Sequence, residues 1–296
     1  MRSIVILAIV GLAAQLVDGS LGMAYGVTST TLLLAVGISP ALASASVHIA
    51  EMGTCAMSGV AHWRFGNVDW SKIVWLAVPG AIGAFLGAVA LVSVITAEAA
   101  EPIVAVFLFS LGIFVLARFS FRRHERPVRE RPIPRAFISP LGFVAGFLDA
   151  AGGGGWGPIS TPTLLSSGRM QPRKVIGTVD TSEFLVAFAA SVGFLISLSF
   201  ADIPWQLVGA LLLGGLIAAP IAAWIVRILP ARIMGTAVGG FILIVNMKTF
   251  LEAIGVSGGL ALLIYVLIVV FWVTALAHSI MVNRQEKRAK AESQPA

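Results

Sequence analysis

The chain has 296 residues, of which 58% are hydrophobic and only 11% charged, with a mean hydropathy of +0.95. That excludes an ordinary soluble globular domain and points to a polytopic, all-α membrane protein. The high pI, about 10.1, does not imply a nucleic-acid partner, because the basic residues sit in short loops between apolar runs, where they report topology.

In chain order, the N-terminus MRSIVILAIVGLAA imitates a signal peptide. It is read instead as the first arm of a hairpin over about 3–37, built on GLAAQLVDGSLGMAYGVTSTTLLL (Gly11 to Leu34). Gly37-Ile-Ser-Pro40 then makes a turn. Apolar spans follow over about 41–61, 72–96 and 102–118. Gly80, Gly83 and Gly87 form a small-residue packing stripe, and Pro79 and Pro220 are expected to kink their helices. From Arg118 to Arg135 a loop carries seven arginines and two glutamates. A second hairpin covers about 138–167, around LGFVAGFLDAAGGGGWGPISTPTLL (Leu141 to Leu165). Each arm is shorter than the about 20 residues that cross a bilayer. Four glycines followed by Pro158 break the helix between the arms. Further spans run over about 173–199, 204–226, 232–250 and 258–281, ahead of a polar tail expected to fray. The total is seven full spans and two re-entrant hairpins.

The two hairpins repeat one another. An offset of 131 pairs Gly11 with Gly142, Asp18 with Asp149, Gly22 with Gly153, Gly26 with Gly157, Ser29 with Ser160 and Thr30 with Thr161. An offset of 132 then pairs Pro40 with Pro172, Ser46 with Thr178, His48 with Asp180 and Glu51 with Glu183. The expected division is a first repeat over 1–118, an Arg-rich linker over 119–137, a second repeat over 138–250, a final span over 251–281 and a tail over 282–296. With the linker in the cytoplasm, all Lys and Arg residues except Arg2 and Lys248 fall on that side. Three spans between the hairpins then give the halves opposite orientation, an arrangement found in secondary transporters. Trp63, Trp70, Trp75, Trp205 and Trp224 lie near span ends and read as interface anchors.

Two chemistries are readable. Glu51 and Glu183 fall deep in their spans, each three residues after a second polar residue on the same face, His48 or Asp180. Carboxylates withdrawn from water and set beside one another favour taking up a proton. Asp18, His48, Glu51, Asp149, Asp180 and Glu183 are therefore the candidate proton-coupling set, with a structural tie between helix and hairpin as the rival reading. At the hairpin turns, the returning arm offers N–H groups without intrahelical partners and the positive end of a helix dipole. Gly22, Gly26, Ser29, Thr30, Gly153, Gly154, Gly155, Gly157, Ser160 and Thr161 are the candidate anion-binding residues. Asp18 and Asp149 would repel an anion unless they cap the returning arm or carry a proton. Gly152, Gly154 and Gly157 match GxGxxG formally, but no βαβ unit surrounds them. No ATP-binding, metalloprotease or hydrolase motif occurs, and Cys55 is alone. No enzyme activity, catalytic residue, cofactor or metal is expected.

The duplicated hairpins, with the polar-studded spans SASVHIAE and GTVDTSEF after their proline turns, resemble the TauE/SafE family of sulfite and organosulfonate exporters, also called the four-toluene-sulfonate uptake permease family. The second hairpin follows the family pattern; in the first, Asp18-Gly19-Ser20-Leu21-Gly22 replaces the glycine cluster. The resemblance implies an inner-membrane carrier of small sulfur-containing anions, exporting them with protons. Its expected partners are a small anionic substrate and the lipid bilayer, with a homodimer permitted by the small-residue faces but not specified. The alternative is an uncoupled, channel-like permease for another anion or metabolite.

Overall fold

The computed structural model describes residues 2–21, 23–121, 131–225 and 231–292. These form eleven α-helices with no strand among them. The first half contains α1 (Arg2–Leu21), α2 (Tyr25–Ala35), α3 (Pro40–Arg64), α4 (Trp70–Ser93) and α5 (Ala97–Phe121). The second contains α6 (Arg135–Gly152), α7 (Trp156–Ser166), α8 (Pro172–Ser197), α9 (Trp205–Ile225) and α10 (Ala231–Ala253), and α11 (Gly258–Glu292) follows.

Helix boundaries repeat with the sequence offset. Leu21 and Gly152, Tyr25 and Trp156, and Ala35 and Ser166 each lie 131 residues apart; Pro40 and Pro172, Ser93 and Ile225, and Phe121 and Ala253 lie 132 apart. The packing repeats as well: α4 lies against α6 as α9 lies against α1, and α3 packs on both α8 and α9 while α8 packs on both α3 and α4. Glycines allow the close crossings. A side chain at Gly83 or Gly87 would strike the backbone of Phe143 or Phe147 on α6, and one at Gly142 or Gly146 would strike Leu76 or Gly80 on α4. Gly11 and Gly214 play the same part between α1 and α9, against Leu211 and Ala8. The stripe at Gly80, Gly83 and Gly87 is thus a helix contact.

Among the described residues, four helices are long and apolar enough to cross a membrane, over 70–93, 102–121, 174–197 and 258–285. Among the remaining expected spans, α3 is interrupted by His48 and Glu51, and α9 and α10 hold shorter apolar stretches, Trp205–Ala219 and Gly235–Met247. Two boundaries differ from the sequence reading. The α5 helix starts at Ala97, ahead of the expected 102. The polar tail does not fray at 281: α11 continues to Glu292 through good helix formers, Gln, Glu, Lys, Arg and Ala. Much of the Arg-rich linker, 122–130, lies outside the described residues. Trp63, Trp70, Trp75 and Trp205 are exposed near helix ends, as an interface anchor requires, with Arg135 stacked 4.3 Å over Trp75. The Trp224 side chain is outside the described residues.

Candidate functional site

The break between α1 and α2 meets the break between α6 and α7. The second turns through Gly153 (φ 71°) and Gly154 (φ 143°), backbone regions that side chains disfavour. The first turns through Ala24, which adopts φ 93° without glycine's freedom. A Cβ added to Gly26 would fall 2.9 Å from Gly154 Cα, and one added to Gly154 would strike Val27 N. Gly153 faces Thr30 in the same way. Backbone therefore meets backbone, which is what this glycine pattern permits.

Each hairpin carries its own cap. Asp149 Oδ1 accepts from the N–H groups of Gly155 (2.7 Å) and Trp156 (2.9 Å), closing the start of α7. Asp18 Oδ1 accepts from Tyr25 N at 3.3 Å, closing the start of α2. Gly154 N donates to Asp149 O. The N–H groups of Gly154 and Gly155 thus serve the turn, which reassigns part of the donor set expected to face an anion. First-turn N–H groups with no acceptor in their own helix remain at Gly26, Val27 and Gly157. Beside them stand buried hydroxyls. Thr28 Oγ1, Ser29 Oγ, Thr30 Oγ1 and Ser160 Oγ have no hydrogen-bond partner in the structure, and Thr161 is buried with them. Gly22 lies outside the described residues.

The six candidate titrating residues are all buried, but not in the pairs their spacing suggests. His48 does not bond Glu51 three residues on. Its Nε2 lies 3.0 Å from Asp149 Oδ2, and its Nδ1 lies 2.8 Å from Ser44 O. A carbonyl only accepts, so Nδ1 carries a proton; the contact with Asp149 requires a second proton between the two groups. The His48–Asp149 pair is therefore a self-neutralised bridge between α3 and α6, reinforced by Ser44 Oγ donating to Ala150 O at 2.7 Å. Glu51 is 1% exposed, and neither of its carboxylate oxygens has a hydrogen-bond partner.

On the other side, Asp18 of α1 joins Asp180 and Glu183 of α8. One carboxylate oxygen from each lies within 4.8 Å of the others, all buried. Ser58 reaches the Asp180 side chain, while Asp180 Oδ2 has no hydrogen bond and stands 3.9 Å from His62 Nε2.

Sequence reasoning missed three contributors. Tyr25 is 2% exposed with an unpartnered hydroxyl at the start of α2. Asn246 of α10 donates to Thr31 Oγ1 at 2.9 Å, tying α2 to the second half. A lone amide inside the apolar run FILIVNM is the signal that could have revealed it. The third is a basic vestibule of about 760 Å³ lined by Lys72, Arg131, Arg169 and Lys174 with Asp69 and Gln171. It opens at the start of α8, where Thr178 Oγ1 accepts from Asp69 N at 2.9 Å. Along α8, Lys174 is about 9 Å from Asp180 at 1.5 Å per residue.

Comparison with known proteins places this geometry. Residues 7–249 match the family model described as sulfite exporter TauE/SafE. The chain is 52% identical over 279 residues to the "Probable membrane transporter protein YtnM" of Bacillus subtilis (strain 168), covering 93% of this chain and 92% of that one. It is 24% identical over 218 residues to the "Probable membrane transporter protein YjnA" of the same organism, covering 70% and 84%. No solved structure matches the chain.

Proposed function

This chain belongs to the sulfite exporter TauE/SafE family, a family of membrane transporters and not of enzymes, and on that premise we propose that it exports small sulfur-containing anions, sulfite or organosulfonates, together with protons. The observation that carries the anion half of this reading is the cluster of buried, unpartnered hydroxyls at Ser29, Thr30 and Ser160 where the hairpin tips meet. A buried hydroxyl without a partner costs about 1–3 kcal/mol. An oxyanion between the tips would accept from these groups and from the first-turn N–H groups of α2 and α7, offsetting that cost.

The proton half rests on the acids around the tips. Bringing an anion beside Asp18, Glu51 and Glu183 is favourable only when protons, or another positive charge, accompany it. The vestibule supports the direction. Its lysines and arginines fall on the side that the positive-inside pattern assigns to the cytoplasm, so they would collect anions from within. The matched helix boundaries and pairings support two repeats of opposite orientation rocking about the tips, with the linker and C-terminus cytoplasmic and the chain in the inner membrane.

The test is flux of sulfite and of a simple sulfonate in proteoliposomes, with and without an imposed pH gradient. Flux that follows the gradient and falls in Glu183→Gln is expected. Flux that ignores the gradient and survives Glu183→Gln would reduce the protein to an uncoupled permease.

A further inference from the structure

We infer that Asp18, Asp180 and Glu183 form a buried binding site for a single hard, oxygen-seeking metal cation. This goes beyond proton-coupled anion export, which requires only that these acids hold protons.

The first observation is geometric. Three carboxylate oxygens, from α1 and from two positions one turn apart on α8, converge within 4.8 Å of one another. Oxygens bound to a common cation at about 2.3–2.6 Å lie at such separations. The second is the state of the groups around them. Asp180 Oδ2 is buried without a hydrogen bond. The Tyr25 hydroxyl, also buried and unpartnered, is within electrostatic reach of Asp18, and the unpartnered Glu51 carboxylate is within reach of Glu183. Buried polar atoms are nearly always satisfied, so this group of orphans marks a place that something else occupies.

The third observation is the repeat. The position matching Asp180 is His48, and the residue matching Asp18 is Asp149. In that half the imidazole supplies the positive charge, bonded to Asp149 at 3.0 Å. In the other half an acid stands where the imidazole would be. The titratable groups facing the triad are Glu51, Cys55 and His62 of α3, Tyr25 of α2 and Asp149 of α6, with His62 3.9 Å from Asp180 and partly exposed. None of them forms a hydrogen-bonded ion pair with the triad. The hydrogen-bonded imidazole that the repeat builds into one half has no counterpart at the triad, where His62 stands 3.9 Å from Asp180 without a hydrogen bond. An all-carboxylate set selects hard cations, and the thiol of Cys55 is not among the three converging atoms.

The experiment uses the purified full-length chain in detergent, stripped with chelator and held in choline chloride, with no anionic substrate. Na⁺ is titrated against choline at constant ionic strength in one arm, and Ca²⁺, Mg²⁺ and Mn²⁺ in another. Thermal unfolding and proton release into weak buffer are recorded. One arm should saturate at one ion per chain, raise the unfolding temperature and release about one proton, as metal binding to carboxylates does. Asp18→Asn and Glu183→Gln should each weaken the midpoint at least tenfold, while Asp180→Glu keeps binding within a few-fold. If a neutralised variant does not fold, the wild-type titration still decides. The absence of any saturable metal effect over choline overturns the site. A null result leaves anion export standing, and failure of sulfite flux leaves the cation site standing.

Discussion

Asp18 and Asp149 hold matching places in the repeat and do the same local work, each capping the returning arm of its hairpin. Beyond the cap they meet different partners. Asp149 reaches across to His48 and forms a closed, neutral bridge. Asp18 reaches across to Asp180 and Glu183 and forms an acidic cluster with no such bridge. One substitution within the duplication, imidazole against carboxylate, makes one half-site structural and self-contained and leaves the other open to an external charge.

The comparison breaks most visibly at His48. In His48→Gln, Asp149 loses its charge partner while staying buried, and removing one charge of a buried pair costs about 3–5 kcal/mol. Thermal unfolding in detergent should fall sharply; an unchanged midpoint would show that the bridge holds nothing together. Gly154→Ala tests the tips that both half-sites share. Its Cβ strikes Val27 N at a φ of 143°, so the hairpins must part. Misplacement by about 1 Å can cost on the order of 10²-fold in rate. Anion flux should drop by that order while the unfolding temperature moves less than in His48→Gln. The hydroxyls should cost less. Ser29→Ala with Ser160→Ala removes one hydrogen bond from each hairpin, at about 1 kcal/mol apiece. The half-saturating anion concentration should rise about thirtyfold, with maximal flux little altered. Smallest is the vestibule. Arg169→Gln with Lys174→Gln should slow uptake from that side by a few-fold at low salt, and the difference should vanish near 1 M salt, where screening acts within about 3 Å.

The helix order and the two breaks, after α1 and after α6, were legible because their causes are local. Gly152 to Gly155 cannot continue a helix, Pro40 and Pro172 set the starts of α3 and α8, and an offset of 131 exposes the duplication without any structure. The partners of His48 and Asp18 were not legible. Spacing along one helix suggested Glu51 for His48, whereas the bond runs to Asp149, 101 residues away, and only the crossing of α3 with α6 brings them together. The capping role of the two aspartates had been one of two readings left open; the hydrogen bonds at Gly155, Trp156 and Tyr25 favour it. Tyr25 and Asn246 carry no charge, yet in an apolar setting a lone hydroxyl or amide is nearly as informative as a charge.

The last helix carries a different lesson. Its candidate span, Gly258–Gln285, is 28 residues long, and an apolar 18-residue run within it is only 6% buried against the rest of the protein. At 1.5 Å per residue it measures about 42 Å, well beyond the about 30 Å of hydrocarbon it would cross. A helix in that position relieves hydrophobic mismatch by leaning, and it leans more as the bilayer thins. Because α11 rests on α10 and α5, lipid chain length becomes a mechanical input to the bundle, felt first at α11 itself.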